Sequence, residues 1–244
     1  MKTVSSAAVL LSCALIAAPT FAARKSAPAN SGEKPFTENF LEEKSDLAST
    51  GKNPYFNLEP GYVMEYAGEE DGDKATLVVT VLNETKTVDG VETRIVEERE
   101  SSKGKLAEVS RNYFAISKRT NNVYYFGEDS KKYKDDKVVS QEGSWEAGAE
   151  GAKYGLMIPA TPLLGARYYQ EIAPGKAMDR AENISTSETL KTPAGEFKDC
   201  LKTEETTPLE PETKEYKLYA PGVGLVKDGG LALIKHGKGE AKPK

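Results

Sequence analysis

The sequence predicts a mainly β protein: an antiparallel curved sheet, sandwich or partly closed barrel, with an irregular capping segment. Three observations predict it. Apolar and polar residues alternate at a period of two through much of the chain after residue 50. Turn pairs recur at strand-like spacing, at Lys103-Gly104, Asn121-Asn122, Pro174-Gly175, Ala194-Gly195, Pro221-Gly222 and Asp228-Gly229. No long helical periodicity follows Thr50, which argues against a βαβ fold.

Met1–Ala23 has the order of an export signal. Lys2 forms the n-region, an apolar run from Ala7 to Ala18 is broken only by Ser12 and Cys13, and Thr20 and Ala22 precede a small-residue cleavage site. Export to a periplasmic or extracellular location is therefore expected. Leu10-Leu11-Ser12-Cys13 loosely resembles a lipobox, but the apolar run continues past Cys13, where a lipidated terminus would turn polar. Residues 24–52 are expected to be a linker. Within them Phe36, Phe40, Leu41 and Leu47 fall on one face of a short helix over Thr37–Leu47, with Thr37 as its N-cap. Residues 53–236 are expected to be a single β domain, and 237–244 a disordered tail.

In the β domain, Tyr62, Met64 and Tyr66 share one face of a strand. Leu77, Val79 and Val81 alternate with Thr76, Val78, Thr80 and Leu82, apolar enough to be covered on both sides. Asp89-Gly90 between two alternating segments predicts a type I′ hairpin, which needs positive φ at both central residues. Beyond it Val91, Thr93 and Ile95 are expected to face inward, and Glu92, Arg94 and Glu98 to face water. Further strands are expected at Leu106–Ser117, Val123–Phe126, Tyr168–Ile172, Ile184–Leu190, Phe197–Glu205, Tyr216–Tyr219 and Leu231–Lys235. The Gly143–Pro162 stretch carries Gly and Pro at its ends and is expected to be a loop or cap over the sheet.

Composition removes several function classes. The net charge is −5, and removal of Lys2 with the signal leaves 32 basic against 38 acidic residues, or −6. A basic nucleic-acid-binding surface is excluded. No internal apolar run approaches the ~20 residues of a membrane span. Loss of Cys13 leaves Cys200 as the one cysteine, and His236 is the one histidine, so no set of N/S ligands exists for zinc. No cofactor is predicted. Glu69-Glu70-Asp71-Gly72-Asp73 is acidic, but Lys74-Ala75-Thr76-Leu77 breaks the spacing of a calcium loop, which leaves a solvated hairpin turn. Cys200 and His236 lie in no nucleophile motif, and no Gly-x-Ser-x-Gly elbow occurs. On an ideal strand Cys200 shares a face with Lys198 and Lys202, cations that would favour its thiolate. The alternative is a packed, inert thiol.

Aromatic residues concentrate at Tyr124-Tyr125-Phe126 and Trp145. If Tyr124 and Phe126 face a concave surface, Trp145 closes over them to give an apolar pocket rimmed by Glu128 and Glu146. Leu156, Met157, Ile158, Leu163 and Leu164 would add apolar lining. The competing assignment makes the same rings core, where aromatics dominate buried area. Glu128, Glu142, Glu146 and Glu171 all lie near aromatics, and a glycosidase needs only two opposed carboxylates. Sequence spacing does not show which of them face each other.

Five segments together resemble a family of uncharacterised exported bacterial proteins: 53–61 (Asn-Pro-Tyr-Phe-Asn-Leu-Glu-Pro-Gly), 124–128 (Tyr-Tyr-Phe-Gly-Glu), 143–148 (Gly-Ser-Trp-Glu-Ala-Gly), 207–211 (Thr-Pro-Leu-Glu-Pro) and 219–226 (Tyr-Ala-Pro-Gly-Val-Gly-Leu-Val). The resemblance covers nearly all of Asn53–Val226 and transfers no catalytic residue. Members carry an acidic, Gly-bearing turn before the second segment. Here that turn is Lys118-Arg119-Thr120-Asn121-Asn122, so a cation held there would lose its anionic ligands. The strand pattern alone is also similar to the half-barrels of periplasmic lipoprotein carriers, a likeness of fold only. The expected function is a non-enzymatic exported module binding a hydrophobic or amphiphilic small molecule or an envelope protein. The alternatives are a structural protein of the cell envelope without a small-molecule site, and a carboxylate-dependent hydrolase.

Overall fold

The structure is a computed structural model, described for residues 34–239. The expected export signal, Cys13 and the end of the expected tail lie outside the described residues. Asp71-Gly72, Asp89-Gly90 and Lys103-Gly104 have positive φ at both positions, a geometry whose twist matches that of the flanking strands. They join β4 (Tyr62–Glu70), β5 (Asp73–Val88), β6 (Val91–Ser102) and β7 (Lys105–Ser117) into a meander that β8 (Val123–Lys134) extends. A second meander runs through β14 (Arg180–Thr192), β15 (Gly195–Thr207), β16 (Glu210–Ala220), β17 (Gly224–Asp228) and β18 (Leu231–Lys238).

The two meanders join where β18 pairs with β4, from Leu231 opposite Gly68 to Lys238 opposite Tyr62. A Cβ on Gly68 would lie 2.2 Å from the Gly230 carbonyl oxygen, so this approach needs glycine. At the far ends, β11 (Lys153–Ile158) pairs with β8, β13 (Glu171–Ile172) with β11, and β12 (Arg167–Tyr169) with β14. Only Gln170 separates β12 from β13, so one run of chain bonds to both ends of the sheet. The result is a nearly closed antiparallel barrel. Short strands add to it: β1 (Leu47–Ala48) on β7, and β9 (Lys137–Ser140) and β10 (Trp145–Glu146) on β8. A separate two-stranded sheet is formed by β2 (Lys52–Asn53) and β3 (Phe56–Asn57). The 143–162 stretch thus contains two strands, β10 and β11, that continue the sheet beyond β8. Among the described residues no helix is long and apolar enough to cross a membrane.

Inward-facing positions divide the interior. Along β6, β7, β15 and β16 the apolar ones lie at one end, with Val96 and Phe114 on the first pair and Leu201 and Tyr219 on the second. Met64, Tyr66, Leu77, Val81 and Leu233 complete a core that fills that part. The other end of the same strands carries carboxylates: Glu98 and Glu100 on β6, Glu108 on β7, Glu205 on β15 and Glu215 on β16. Tyr62, Met64 and Tyr66 are buried on one face as the alternation predicts.

The expected orientation of the 91–98 segment is corrected. Val91 and Ile95 are buried with the outer cluster of β6, β7 and β8, beneath Leu47 and Val88. Glu98 points into the interior, and Arg94 is buried rather than hydrated. Alternation predicts one apolar inside, whereas this barrel is apolar at one end of its interior, lined by carboxyls at the other, and covered by an apolar cluster on part of its outside.

Residues 34–52 dock onto the barrel, and the helix expected over Thr37–Leu47 is absent. Thr37 instead pairs through its backbone with Arg167 and Tyr169, at 2.9 Å each way. A one-turn 3₁₀ helix spans Lys44–Asp46, and β1 then pairs with Ser117 and Ile116. Leu41 is left exposed while Phe40 packs on Tyr124. Arg94 fastens the segment, donating to Ser49 O at 2.9 Å and Thr50 Oγ1 at 2.7 Å. Gly237 and Lys238, expected in the tail, belong to β18.

Candidate functional site

The polar end of the interior is an open chamber of about 210 Å³. Nine carboxyl groups line it, from Glu98, Glu100, Glu108, Glu128, Glu171, Asp179, Glu205, Glu215 and Asp228, against a single lysine, Lys217. Lys217 lies 3.2 Å from Glu205 Oε2 and 3.7 Å from Asp228 Oδ2, bridging carboxylates of two different strands. Glu205 is further held by Gln170 Nε2 at 3.3 Å, Thr203 Oγ1 at 3.2 Å and the Tyr219 hydroxyl at 3.4 Å. Ser130 Oγ donates to Glu108 Oε1 at 2.5 Å, and the Tyr125 hydroxyl lies 3.4 Å from Glu128 Oε2.

Glu128 reaches the chamber through a β-bulge. Tyr113 pairs with Gly127 and Phe114 with Tyr125, so β8 carries one extra residue there. Strict alternation would put Glu128 on the outer side with Tyr124 and Phe126. The extra residue reverses the phase and turns it inward. Gly127 has φ 153°, and a Cβ on it would meet the Trp145 carbonyl oxygen at 2.6 Å.

At the seam where β13 meets β11, the buried Glu171 and Asp179 carboxyls face each other, with Trp145 against Glu171 and Thr207 against Asp179, and Glu171 Oε2, Asp179 Oδ1 and Trp145 Nε1 meet within this cluster outside ideal hydrogen-bond geometry. Glu171 is 5% exposed, and it and Asp179 both line the chamber. Burial raises Glu171 well above the ordinary carboxylate range, with Asp179 and Glu128 adding to the effect. Asp179 is pushed up to about 6 by burial and by Glu205, and Glu171 facing it opposes the rise. Both carboxyls are therefore held above the ordinary carboxylate range.

The other walls follow the same physics. Burial and neighbouring carboxylates push Glu100 and Glu128 up to about 8. Glu98 rises to about 7, chiefly through burial, with Lys217 opposing. Burial works to lower the Lys217 ammonium, but Asp228 and Glu205 outweigh it and hold it well above its ordinary value. Like charges brought together on partly buried walls disfavour ionisation, and one lysine does not compensate them.

An outer groove of about 430 Å³ receives three of the five sequence-predicted site residues, Glu128, Trp145 and Glu146. Lys86 spans it, 2.6 Å from Glu146 Oε1 and 4.4 Å above the Tyr113 ring. Glu128 lines both the groove and the chamber. Tyr124 and Phe126 line neither: they are 3% and 0% exposed. Phe126 stacks on Tyr154 at 4.7 Å, and Tyr124 meets Phe40 and Tyr154 edge-on. These two rings are core. Of the expected pocket lining, Leu156 and Ile158 are core, Leu163 and Leu164 are exposed, and only Met157 reaches the chamber.

Of the four carboxylates marked by nearby aromatics, Glu128 and Glu171 meet in the chamber, while Glu146 faces the groove. Sequence reasoning missed Glu98, Glu100, Glu108, Asp179, Glu205, Glu215, Lys217 and Asp228. Their spacing at alternate positions was visible, but it is the same pattern that a solvated sheet face produces. Cys200 is fully buried, and burial raises its thiol, as does the charge of Asp199, so the Lys198 and Lys202 cations do not generate a thiolate. His236 Nδ1 lies 3.0 Å from the Tyr62 hydroxyl. In the Lys118–Asn122 turn, Arg119 lies 3.2 Å from Asp46. Among the described residues no three Asp, Glu, His or Cys side chains converge closely enough to share a metal ion. Compared with protein-family models, with curated proteins and with solved structures, the chain matches none.

Proposed function

We propose that the protein is an exported, non-enzymatic β-barrel module that binds a small, positively charged ligand in its acidic interior chamber. The observation that carries this reading is the chamber wall: nine carboxyl groups against one lysine around about 210 Å³. A cleft whose ionisable groups are of one sign attracts counter-ions, and an arriving cation draws protons from those, such as Glu98, Glu100 and Glu128, that burial holds at about 7 to 8. The volume is below the roughly 300–1,000 Å³ of drug-sized pockets, which favours a small ligand. The apolar end of the interior is filled by residues such as Tyr66 and Leu233, so a purely hydrophobic ligand finds no matching space. The reading as a binding module is supported by Cys200 being buried with its thiol raised, and by neither Cys200 nor His236 lining the chamber.

Titration calorimetry of the purified chain at pH 7.5 tests the charge class, using matched cationic, neutral and anionic small molecules. Cations alone are expected to bind, and the double variant Glu98→Gln/Glu100→Gln is expected to weaken them. Binding of neutral or anionic amphiphiles with no response to cations would defeat the proposal.

A further inference from the structure

Four of the eight large hydrophobic side chains exposed among the described residues gather on one face of the barrel: Leu163, Leu164, Ile184 and Tyr216. Leu163 and Leu164 stand out furthest, at 69% and 65% exposure, on the turn that leads from β11 into β12. Hydrogen bonds fix this turn. Ala160 N donates to Asn122 Oδ1 at 2.9 Å, Gly165 N to Asn183 O at 2.8 Å, and Leu163 O accepts from Asn183 Nδ2 at 3.2 Å. Ile184 follows Asn183 at a bulge. Asn183 pairs with Thr203 and Ser185 with Lys202, so Ile184 is the extra residue and is turned outward. On β15, Lys202 Nζ lies 4.5 Å from the centre of the Tyr216 ring, which carries the face onto β16.

Apolar residues exposed singly need no explanation, whereas a group of them rimmed by polar residues marks a contact surface. We propose that this face docks on a phospholipid surface, with Leu163 and Leu164 entering the acyl boundary and the flanking cations meeting the phosphates.

Charge and chain direction select lipid over a second copy of the chain. Lys34, Arg180 and Lys202 flank the apolar residues and have no carboxylate partner among the described residues. The neighbouring Glu182 and Glu204 are held by Arg167 and Lys214, while Arg180 stacks on Phe36 at 4.4 Å and Lys202 on Tyr216. In a two-fold contact between copies these like charges would be brought together. Phosphates complement them, and leucine beside tyrosine and lysine suits the boundary between acyl chains and headgroups. The chain before the described residues also leaves from this face, because Arg167 donates to the Lys34 carbonyl and Phe36 packs on Tyr169. Residues 24–33 reach at most about 33–36 Å. They begin with Arg24-Lys25, behind the apolar run Ala7–Ala18. A chain brought to a membrane by that end presents the leucine turn to it.

The experiment is flotation of the chain freed of Met1–Ala23, which keeps every described residue, with vesicles of phosphatidylcholine alone and of phosphatidylcholine with phosphatidylglycerol. Expected is partition into both, tighter with phosphatidylglycerol, the excess being removed by high salt. Leu163→Ser/Leu164→Ser should weaken partition at least about tenfold. Val138→Ser/Val139→Ser, an exposed apolar pair on β9, should leave it unchanged, as should Glu98→Gln/Glu100→Gln in the chamber. If the leucine variant fails to fold, Leu164→Trp reads the same contact: its emission should shift to the blue on vesicles and be quenched by brominated lipid. Partition that survives Leu163→Ser/Leu164→Ser, a Leu164→Trp emission indifferent to vesicles, or no partition into either vesicle overturns the proposal. Self-association that the leucine variant abolishes, without vesicle binding, gives the face to a second copy and overturns the lipid assignment.

Discussion

Glu128→Gln tests whether the chamber carboxyls are held against their own ionisation. In the unfolded chain the carboxyl titrates near 4.5, and in the barrel burial and Glu108 push it up to about 8. Below 4.5 both states carry the proton and the residue contributes nothing. Between 4.5 and 8 the folded protein binds more protons than the unfolded chain, so stability falls as pH rises. The loss is complete above about 8. At about 1.4 kcal/mol per pH unit, a rise from 4.5 to about 8 sets a ceiling near 5 kcal/mol. Water in the half-open chamber screens the charge, and the expected cost is about 1–2 kcal/mol. Glutamine keeps the shape and an acceptor for the Tyr125 hydroxyl but cannot ionise. The variant should match the parent at pH 5 and be more stable at pH 9, with a melting temperature about 2–8 °C higher for a chain of this size. Calorimetric melts at half-unit steps from pH 5 to 9 would show it. A variant less stable than the parent at pH 9, or one with the same offset at both ends, would refute the reasoning.

Three further outcomes follow from the packing. Arg94→Lys removes a guanidinium that serves Ser49, Thr50 and the Leu82 and Glu84 carbonyls; about 2–3 kcal/mol should be lost, with faster proteolysis within residues 34–52, and an unchanged cleavage rate would count against the clamp. Gly155→Ala places a Cβ about 2.4 Å from the Gln170 carbonyl, so amide exchange should accelerate at 167–172 more than in the β4–β7 meander, and uniform exchange would show that the seam adapts. Tyr66→Phe deletes a hydroxyl that donates to Leu225 O at 2.9 Å in a residue 1% exposed; the urea midpoint should fall by the equivalent of about 1–2 kcal/mol with an unchanged slope, and an unaltered midpoint would place the bond outside the stability balance.

Strand content, the Asp89-Gly90 hairpin and the buried face of Tyr62, Met64 and Tyr66 were legible because each depends on residues within a few positions. Barrel closure was not. It depends on Gln170 standing between two short strands that bond to opposite ends of the sheet, and no local pattern encodes such a partner choice. The site was obscured for a different reason. Glu98 and Glu100 follow Val96 on one face of β6 and alternate with Glu97 and Arg99, so charge occupies both faces there, and period-two patterning identifies a face without telling which side of a closed barrel it lines. The aromatic neighbours of Glu128 mark it in the sequence, but its direction depends on the extra residue, Phe126, between the paired Tyr125 and Gly127, which a strict alternation misassigns.

The charge imbalance of the chamber is also the strongest physical argument against its being mere packing. A filled apolar interior is available to this fold, because the same strands supply one at their other end through Val96, Phe114, Leu201 and Tyr219. Continuing that pattern would stabilise the barrel, whereas each carboxyl turned inward costs either desolvation or a retained proton. Lys217 shows that a compensating ammonium fits, yet its ion pairs go to Glu205 and Asp228. A cation bound among these raised carboxyls would relieve part of that cost. Stability should therefore rise with the concentration of the right ligand in proportion to RT ln(1 + [L]/Kd), which makes a thermal-shift screen over small cations a search for the ligand as well as a check on the site.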